Sequence, residues 1–458
     1  MDLPKATNEQ SLQIHVWVPE LASKRGGIQT FSRCLVEALG EILGSDHVRV
    51  MAKNDPSGSQ GANFTAGGRE LRAKRSREAG DSVSVETESG VQSEKAPGRV
   101  VSGQSSVVMG LPPILGWGRW PAVLRTPVFF FGIIWWAIRD RADLVISTHL
   151  NFGIAGYVLK LLTRTKYWCV AHGVEAWNLQ RYLARLGLVK SDLVLAVSNY
   201  TRERLLKEQP LKPEQVVVLP NTIGPDSIKP GPKPDYLMRR HALTIRDKVI
   251  LTVARLAEPE RYKGYDQILR ALPAIRREIP ELRYILVGEG EDRWRIETLI
   301  RELNVCDMAV LAGGVSQKEL ADYYNLCDVF AMPSKGEGFG IVYLEALICG
   351  KPVLAGNDDG SSEPLQNGQL GVLVDADDVA QIATSLVRIL SEHGTGSGEQ
   401  GAKNGKHLRD RTLQKFGFGA FRAHLSTLLS KARSKEQGAG SRERGARSEE
   451  RGAGSLDG

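Results

Sequence analysis

Short apolar runs recur along the chain, and the segments between them repeat their apolar positions at helical spacing. In the first half the runs are LQIHVWVP from Leu12, VRVMA from Val48, DLVISTH from Asp143, KYWCVAHG from Lys166, DLVLAVS from Asp192 and QVVVLPN from Gln215. In the second they are KVILTVARL from Lys248, LRYILVGEG from Leu282, AVLAGG from Ala309, DVFAMPS from Asp328, KPVLAG from Lys351 and LGVLVD from Leu370. Near-continuous apolarity, without polar alternation, predicts strands covered on both faces. The intervening TFSRCLVEALGEIL, YTRERLLKE, YDQILRALPAIRREI and DRWRIETLIRELN predict helices. Strand and helix in alternation predict an α/β fold with parallel sheets and helical crossovers.

One stretch divides the pattern. NTIGPDSIKPGPKPD, from Asn221 to Asp235, is rich in Pro and Gly and reads as a linker. The expected organisation is two doubly wound, Rossmann-like domains facing each other across a cleft, the first over 1–225 and the second over 226–400. A helical segment over 401–430 is expected to pack back on the first domain. Two segments break the rhythm: 55–106, with seven charges of each sign and few large apolar residues, and the compositionally similar tail 431–458. Both are expected to be disordered, because they cannot bury enough surface to offset chain entropy.

Composition adds bounds. With 458 residues, 42% of them hydrophobic, the chain can fill two cores. Its five cysteines, Cys34, Cys169, Cys306, Cys327 and Cys349, form no CxxC pair, which argues against a disulfide framework or zinc knuckle and fits a reducing cytosol. The polar start MDLPKATNEQ has no signal-peptide pattern. The longest apolar run, Thr126 to Ile138, has 13 residues, short of the ~20 of a bilayer span, and is expected in a core or interfacial helix. Residues 107–210 hold 13 Lys/Arg against 6 Asp/Glu beside Trp117, Trp120, Phe129, Phe130, Phe131, Trp135 and Trp136. That combination suggests contact with an anionic membrane surface, on the cytoplasmic face. No nucleic-acid recognition motif accompanies the positive charge.

The chemistry concentrates at strand ends, where open α/β sheets bind ligands. After DVFAMPS comes SKGEGFGIVYLEALICG, with Glu337 and Glu345 eight residues apart around Gly336, Gly338 and Gly340. A strand, a glycine-rich turn and a helix N-terminus make an anion cradle, because amide groups there are unpaired and the helix dipole is positive. Arg255 ends the strand KVILTVARL and Lys263 follows in RYKGYD, two cations suited to a diphosphate leaving group. Gly288 and Gly290 make a tight strand-to-helix turn in VGEGED, without the third glycine of a dinucleotide fingerprint. In the first half, Gly26 and Gly27 precede a helix and could offer amides to a phosphate or acceptor. His172 ends the strand KYWCVAHG, placed to bond a sugar hydroxyl or stabilise developing charge. Ser198 reads as a helix N-cap. The acidic pairs Asp358-Asp359 and Asp375/Asp377 lie in polar turns and are not read as a metal site.

Gly26-Gly27, His172, Ser198, Arg255, Lys263, Gly288-Glu289-Gly290 and the Glu337/Glu345 pair, taken together, resemble the retaining GT-B glycosyltransferases of family 4, also called glycosyl transferases group 1. The resemblance runs from about Gln13 to Glu392, apart from the low-complexity insert. It implies a nucleotide-sugar donor in the second domain and an acceptor in the first. Arg255 and Lys263 would clamp the diphosphate, with backbone amides around Gly338, Phe339 and Gly340 touching phosphate and sugar. Glu337 would hold sugar hydroxyls, Glu345 the ribose, and His172 would reach the donor sugar across the cleft. It also implies retention of anomeric configuration, no cofactor and no metal for donor binding. Two departures stand out: Thr222 follows Asn221 where the family often has glycine, and GNDDGSSEPL, with Glu363, replaces the GGxxE segment whose Glu would bind a hydroxyl. Similarity to exopolysaccharide and lipid-linked-oligosaccharide enzymes points to GDP-mannose and to a lipid-linked or polysaccharide-precursor acceptor. A non-catalytic nucleotide-sugar-binding protein and a GT-B nucleotide-sugar epimerase remain alternatives on the same fold.

Overall fold

The computed structural model describes residues 12–21, 26–55, 112, 114–177, 179–224, 228–394 and 399–434. The segment 55–106 beyond Asp55, and the tail beyond residue 434, lie outside the described residues. The final helix spans 418–434 and so runs past the expected start of the tail at 431.

Two parallel sheets form the frame. The first comprises β1 (Ile14–Val18), β2 (Val48–Ala52), β3 (Ile114–Gly116), β4 (Leu144–Ser147), β5 (Lys166–Ala171), β6 (Leu193–Ala196) and β7 (Val216–Val218). The second comprises β8 (Lys248–Val253), β9 (Leu282–Val287), β10 (Ala309–Gly313), β11 (Val329–Met332), β12 (Val353–Gly356) and β13 (Val372–Val374). The strand orders are 3-2-1-4-5-6-7 and 10-9-8-11-12-13, both doubly wound. All twelve runs read from the sequence are strands; the three-residue β3 is additional. The buried strands show why the runs are so apolar: β1, β4, β11 and β12 have no exposed residue. Order reverses between β1 and β4 and between β8 and β11, so the loops after these four strands diverge and leave a crevice at each switch point.

Two crossings join the domains, and they pair with each other. The Thr222 hydroxyl donates to the Phe416 carbonyl (2.8 Å), and Ile223 forms a β-bridge with Gly417. The glycine expected after Asn221 is replaced by a wholly buried threonine whose hydroxyl ties the outgoing chain to the returning one. Beyond that crossing Phe421 packs edge-on against Phe31 of the first domain (5.6 Å) and Arg422 pairs with Glu41. Phe416 meets Phe339 of the second domain edge-on (5.5 Å). One apolar cluster accordingly runs from Ile14 and Phe31 through Phe339 and Phe421.

The aromatic run of the first domain lies in an 18-residue helix, Ala122–Arg139. By length and composition this helix meets the requirement for a membrane span, yet Phe129, Ile133, Ile134 and Ala137 are buried in the domain core. Its other face is open, with Phe131 69% and Trp135 55% exposed.

Candidate active site

The loops after β1, β8, β9, β10 and β11 enclose a cleft of about 460 Å³ between the domains. Arg255, Lys263, Glu337 and Glu345 all line it, as do Gly288 and Gly340. From the first domain, Gly26, Gly27 and Thr30 complete the opposite wall. The helices Gly27–Leu43 and Ile341–Ile348 thus begin at one cleft from opposite sides, and both bring the positive end of their dipoles to it.

The charged groups form a relay. Arg255 meets Glu260 at 3.1 Å, Glu260 meets Lys263 at 3.3 Å, and Lys263 stands 3.6 Å from Glu337. Burial works against the charge on Lys263, but Glu337 and Glu260 outweigh it and hold its pKa above the ordinary lysine value. Burial raises the Glu337 pKa, with Lys263 opposing. One Glu337 oxygen, Oε2, is buried with no hydrogen bond among the described residues, its charge met by the Lys263 ammonium alone. A buried acceptor of this kind is ready for a hydroxyl donor. Glu345, in the second turn of its helix, accepts from the Tyr324 hydroxyl (2.7 Å), and burial pushes its pKa up to about 7.

The glycine loop is built by Asp359. Its carboxylate, 2% exposed, accepts from the Gly336 amide (2.9 Å), the Glu337 amide (2.7 Å), the Ser334 hydroxyl (2.7 Å) and the Ser361 amide (2.9 Å). These bonds aim Glu337 at the cleft. Among the described residues no three His, Cys, Asp or Glu side chains gather as a metal site requires. Gly288 (φ 148°) is required by space as well as by conformation, since a β-carbon there would run into the Ala254 carbonyl.

Gly338, Phe339 and His172 occupy a different place. They do not line this cleft; they form the seam between the domains. The Gly338 carbonyl accepts from the Ser198 hydroxyl of the first domain (2.6 Å), while the Gly338 α-carbon abuts the backbone of His172 and Gly173. Ser198 also caps its helix, accepting from the Thr201 amide (2.9 Å). The Phe339 ring is buried. His172 donates through Nε2 to the Thr148 carbonyl (3.1 Å) and packs edge-on against Phe31 (5.2 Å). Burial lowers its pKa to about 4, so the ring is neutral near pH 7. Glu363 crosses the seam as well: it accepts from the Tyr200 amide (3.0 Å) and the Asn199 side chain (3.1 Å).

Two residues of the site escaped the sequence reading. Glu260 bridges Arg255 and Lys263; its three-residue spacing from Lys263 is the available signal. Asp359 is legible only as half of an acidic pair, since its partners are three backbone amides and a serine hydroxyl up to 25 residues away.

Residues 237–407 match the family described as glycosyl transferases group 1, and residues 73–227 match glycosyltransferase family 4. A GDP-mannose-dependent alpha-(1-6)-phosphatidylinositol monomannoside mannosyltransferase of Mycolicibacterium smegmatis is 32% identical over 280 residues, 58% of this chain and 70% of that enzyme. Its namesake in Mycobacterium tuberculosis is 32% identical over 232 residues, 48% of this chain and 59% of that enzyme. A D-inositol 3-phosphate glycosyltransferase of Thermobispora bispora is 31% identical over 280 residues, 59% of this chain and 62% of that enzyme. Among solved structures, HepE of Anabaena with UDP and glucose superposes with a TM-score of 0.66 at 17% identity, over 92% of this chain and 99% of that one. Sucrose-phosphate synthase of Thermosynechococcus elongatus gives 0.65 at 19% identity, over 92% of this chain and 100% of that one. These two share the GT-B fold, as the paired doubly wound sheets require. The chain belongs to the family 4, or group 1, glycosyltransferases.

Proposed function

We propose that the protein transfers a hexose from a nucleotide diphosphate donor, GDP-mannose, to a lipid-linked acceptor, with retention of configuration and without a metal for donor binding. The observation that carries this reading is the convergence of Arg255, Lys263, Glu337 and Glu345 on one cleft between helix N-termini. The donor choice is supported by relatives whose names specify GDP-mannose, and the lipid-linked acceptor by the phosphatidylinositol monomannoside in the same names.

In this reading the diphosphate takes Arg255 and Lys263 away from Glu260, and the amides near Gly340 add to its cradle. Charge that develops on the leaving phosphate is then met by fixed cations and dipoles. Once Lys263 turns to the diphosphate, Glu337 receives a sugar hydroxyl on Oε2, as an orienting group rather than a nucleophile. Glu345 grips the ribose. His172, neutral and bonded to Thr148 in the seam, supports the wall beside the donor rather than touching its sugar. The departing phosphate assists in deprotonating the acceptor on the same face. The open aromatic face of Ala122–Arg139, where Arg139 stacks on Trp135 (5.2 Å) and Trp136 (4.8 Å), suits peripheral contact with the anionic cytoplasmic leaflet.

A thermal-shift screen of GDP-, UDP- and ADP-sugars tests the donor assignment. GDP-mannose is expected to raise the melting temperature in proportion to the logarithm of its concentration. No stabilisation by any nucleotide sugar overturns the reading. Mannose transfer to a lipid acceptor separates it from a binding protein or an epimerase. Anionic liposomes at low salt test the membrane contact, which is abandoned if the protein stays in solution.

A further inference from the structure

A second cavity, of about 670 Å³, opens in the first domain and shares no lining residue with the donor cleft. Phe129, Phe130 and Ile133 of the Ala122–Arg139 helix form one wall, and Phe152, Ala155 and Leu183 form the other. Lys53, just past β2, and Arg181 line it too. Neither cation has a carboxylate partner among the described residues. Arg181 donates one hydrogen bond to the Asn151 amide oxygen (3.3 Å).

The surrounding charges are predominantly of one sign. Burial and then the nearby Arg125 lower the pKa of Lys53. Burial lowers that of His149, and Lys53 and Arg181 both act in the same direction. Glu175, which opposes them, already accepts from the His172 amide (2.6 Å). Like charges kept together beside hydrocarbon surface complement an anion joined to an apolar body. Inorganic phosphate would leave the aromatic walls unused, and a neutral hydrocarbon would leave the cations unmatched.

Building on the lipid-linked acceptor proposed above, we infer that this cavity is the acceptor's anchor site. The phosphodiester of an anionic glycerophospholipid lies against Lys53 and Arg181, and its acyl chain lies among Phe129, Phe130, Ile133 and Leu183. The headgroup sugar or polyol is then presented to the donor cleft by an attachment that takes no part in the chemistry.

The test uses the full chain and calorimetric titration with dihexanoyl phosphatidylinositol. Dihexanoyl phosphatidylcholine and inositol phosphate serve as the zwitterionic and chainless comparisons. Phosphatidylinositol is expected to bind more tightly than either. Lys53→Gln and Arg181→Gln should each weaken it about tenfold, the scale of a charge-assisted hydrogen bond. Ala155→Trp, which fills the cavity, should abolish binding, and all three variants should bind GDP as the parent does. Equal binding of phosphatidylcholine reduces the cavity to a greasy face and overturns the inference. So does undiminished lipid binding by both charge variants, or no lipid binding by the parent chain. If GDP binding survives while the lipid arm fails, only this inference falls; if GDP-sugars also fail to bind, the donor reading falls with it.

Discussion

Glu337 and Glu345 show how eight residues of separation place similar carboxylates in different chemistry. Glu337 sits in the turn, facing Lys263 at 3.6 Å; Glu345 lies on the helix, bonded to a tyrosine hydroxyl. Lys263→Ala is expected to lower kcat by about 10²-fold or more, the scale of losing one preorganised group for developing charge, with the circular dichroism spectrum unchanged. Undiminished turnover would remove Lys263 from the mechanism. A pH prediction belongs to Glu345, whose pKa is raised by burial to about 7. The folded protein binds that proton more tightly than the unfolded chain does. Its contribution is therefore favourable at low pH and is lost as pH rises from the ordinary carboxylate range through about 7. Melting temperatures of the free protein from pH 4.5 to 7.5 should fall less steeply in Glu345→Gln than in the parent. Parallel slopes would count against it. Glu337, Arg255 and Lys263 were legible because charged side chains are unusual just after apolar strands, and Glu345 through its spacing from Glu337. Glu260 was not, because a surface carboxylate acquires meaning only from the two cations that fold around it.

The loop after β11 is the element on which the site depends. Four donors converge on Asp359, so Asp359→Asn trades a charge acceptor for an amide that also carries its own donors. A loss of about 3 kcal/mol is expected, the order found when a buried charged partner is removed, measurable by urea unfolding. A loss below 1 kcal/mol would mean the loop holds itself. At the neighbouring strand end, Gly288→Ala must place a methyl group against the Ala254 carbonyl in a backbone conformation alanine avoids. About 2 kcal/mol or more is expected from strain and overlap, read from the same unfolding curves. The strands themselves were legible because buried parallel strands have no polar face to hide. β3 was not, for three residues carry too little pattern beside a long insert. The Ala122–Arg139 helix is longer than its 13-residue apolar run because Arg125 does not interrupt it; its guanidinium turns back to the Trp120 carbonyl (3.0 Å).

At the scale of the whole molecule, two domains are fastened at two places: the paired crossings at Thr222 and Phe416, and the seam at Gly338. The two-domain plan could be read from the linker and the repeated alternation. The seam could not, because Gly338 and Ser198 are 140 positions apart and look like a turn glycine and a helix cap. Adding one methyl group there, as in Gly338→Ala, is expected to lower kcat while nucleotide affinity stays, and to raise the radius of gyration in X-ray scattering. Unchanged turnover would show that the seam can yield. If it cannot, the bite of this jaw is fixed: main chain rests on main chain, with no compressible side chain between. The reaction chamber then has one size, and an acceptor too bulky for it is refused outright instead of being held with the lobes ajar.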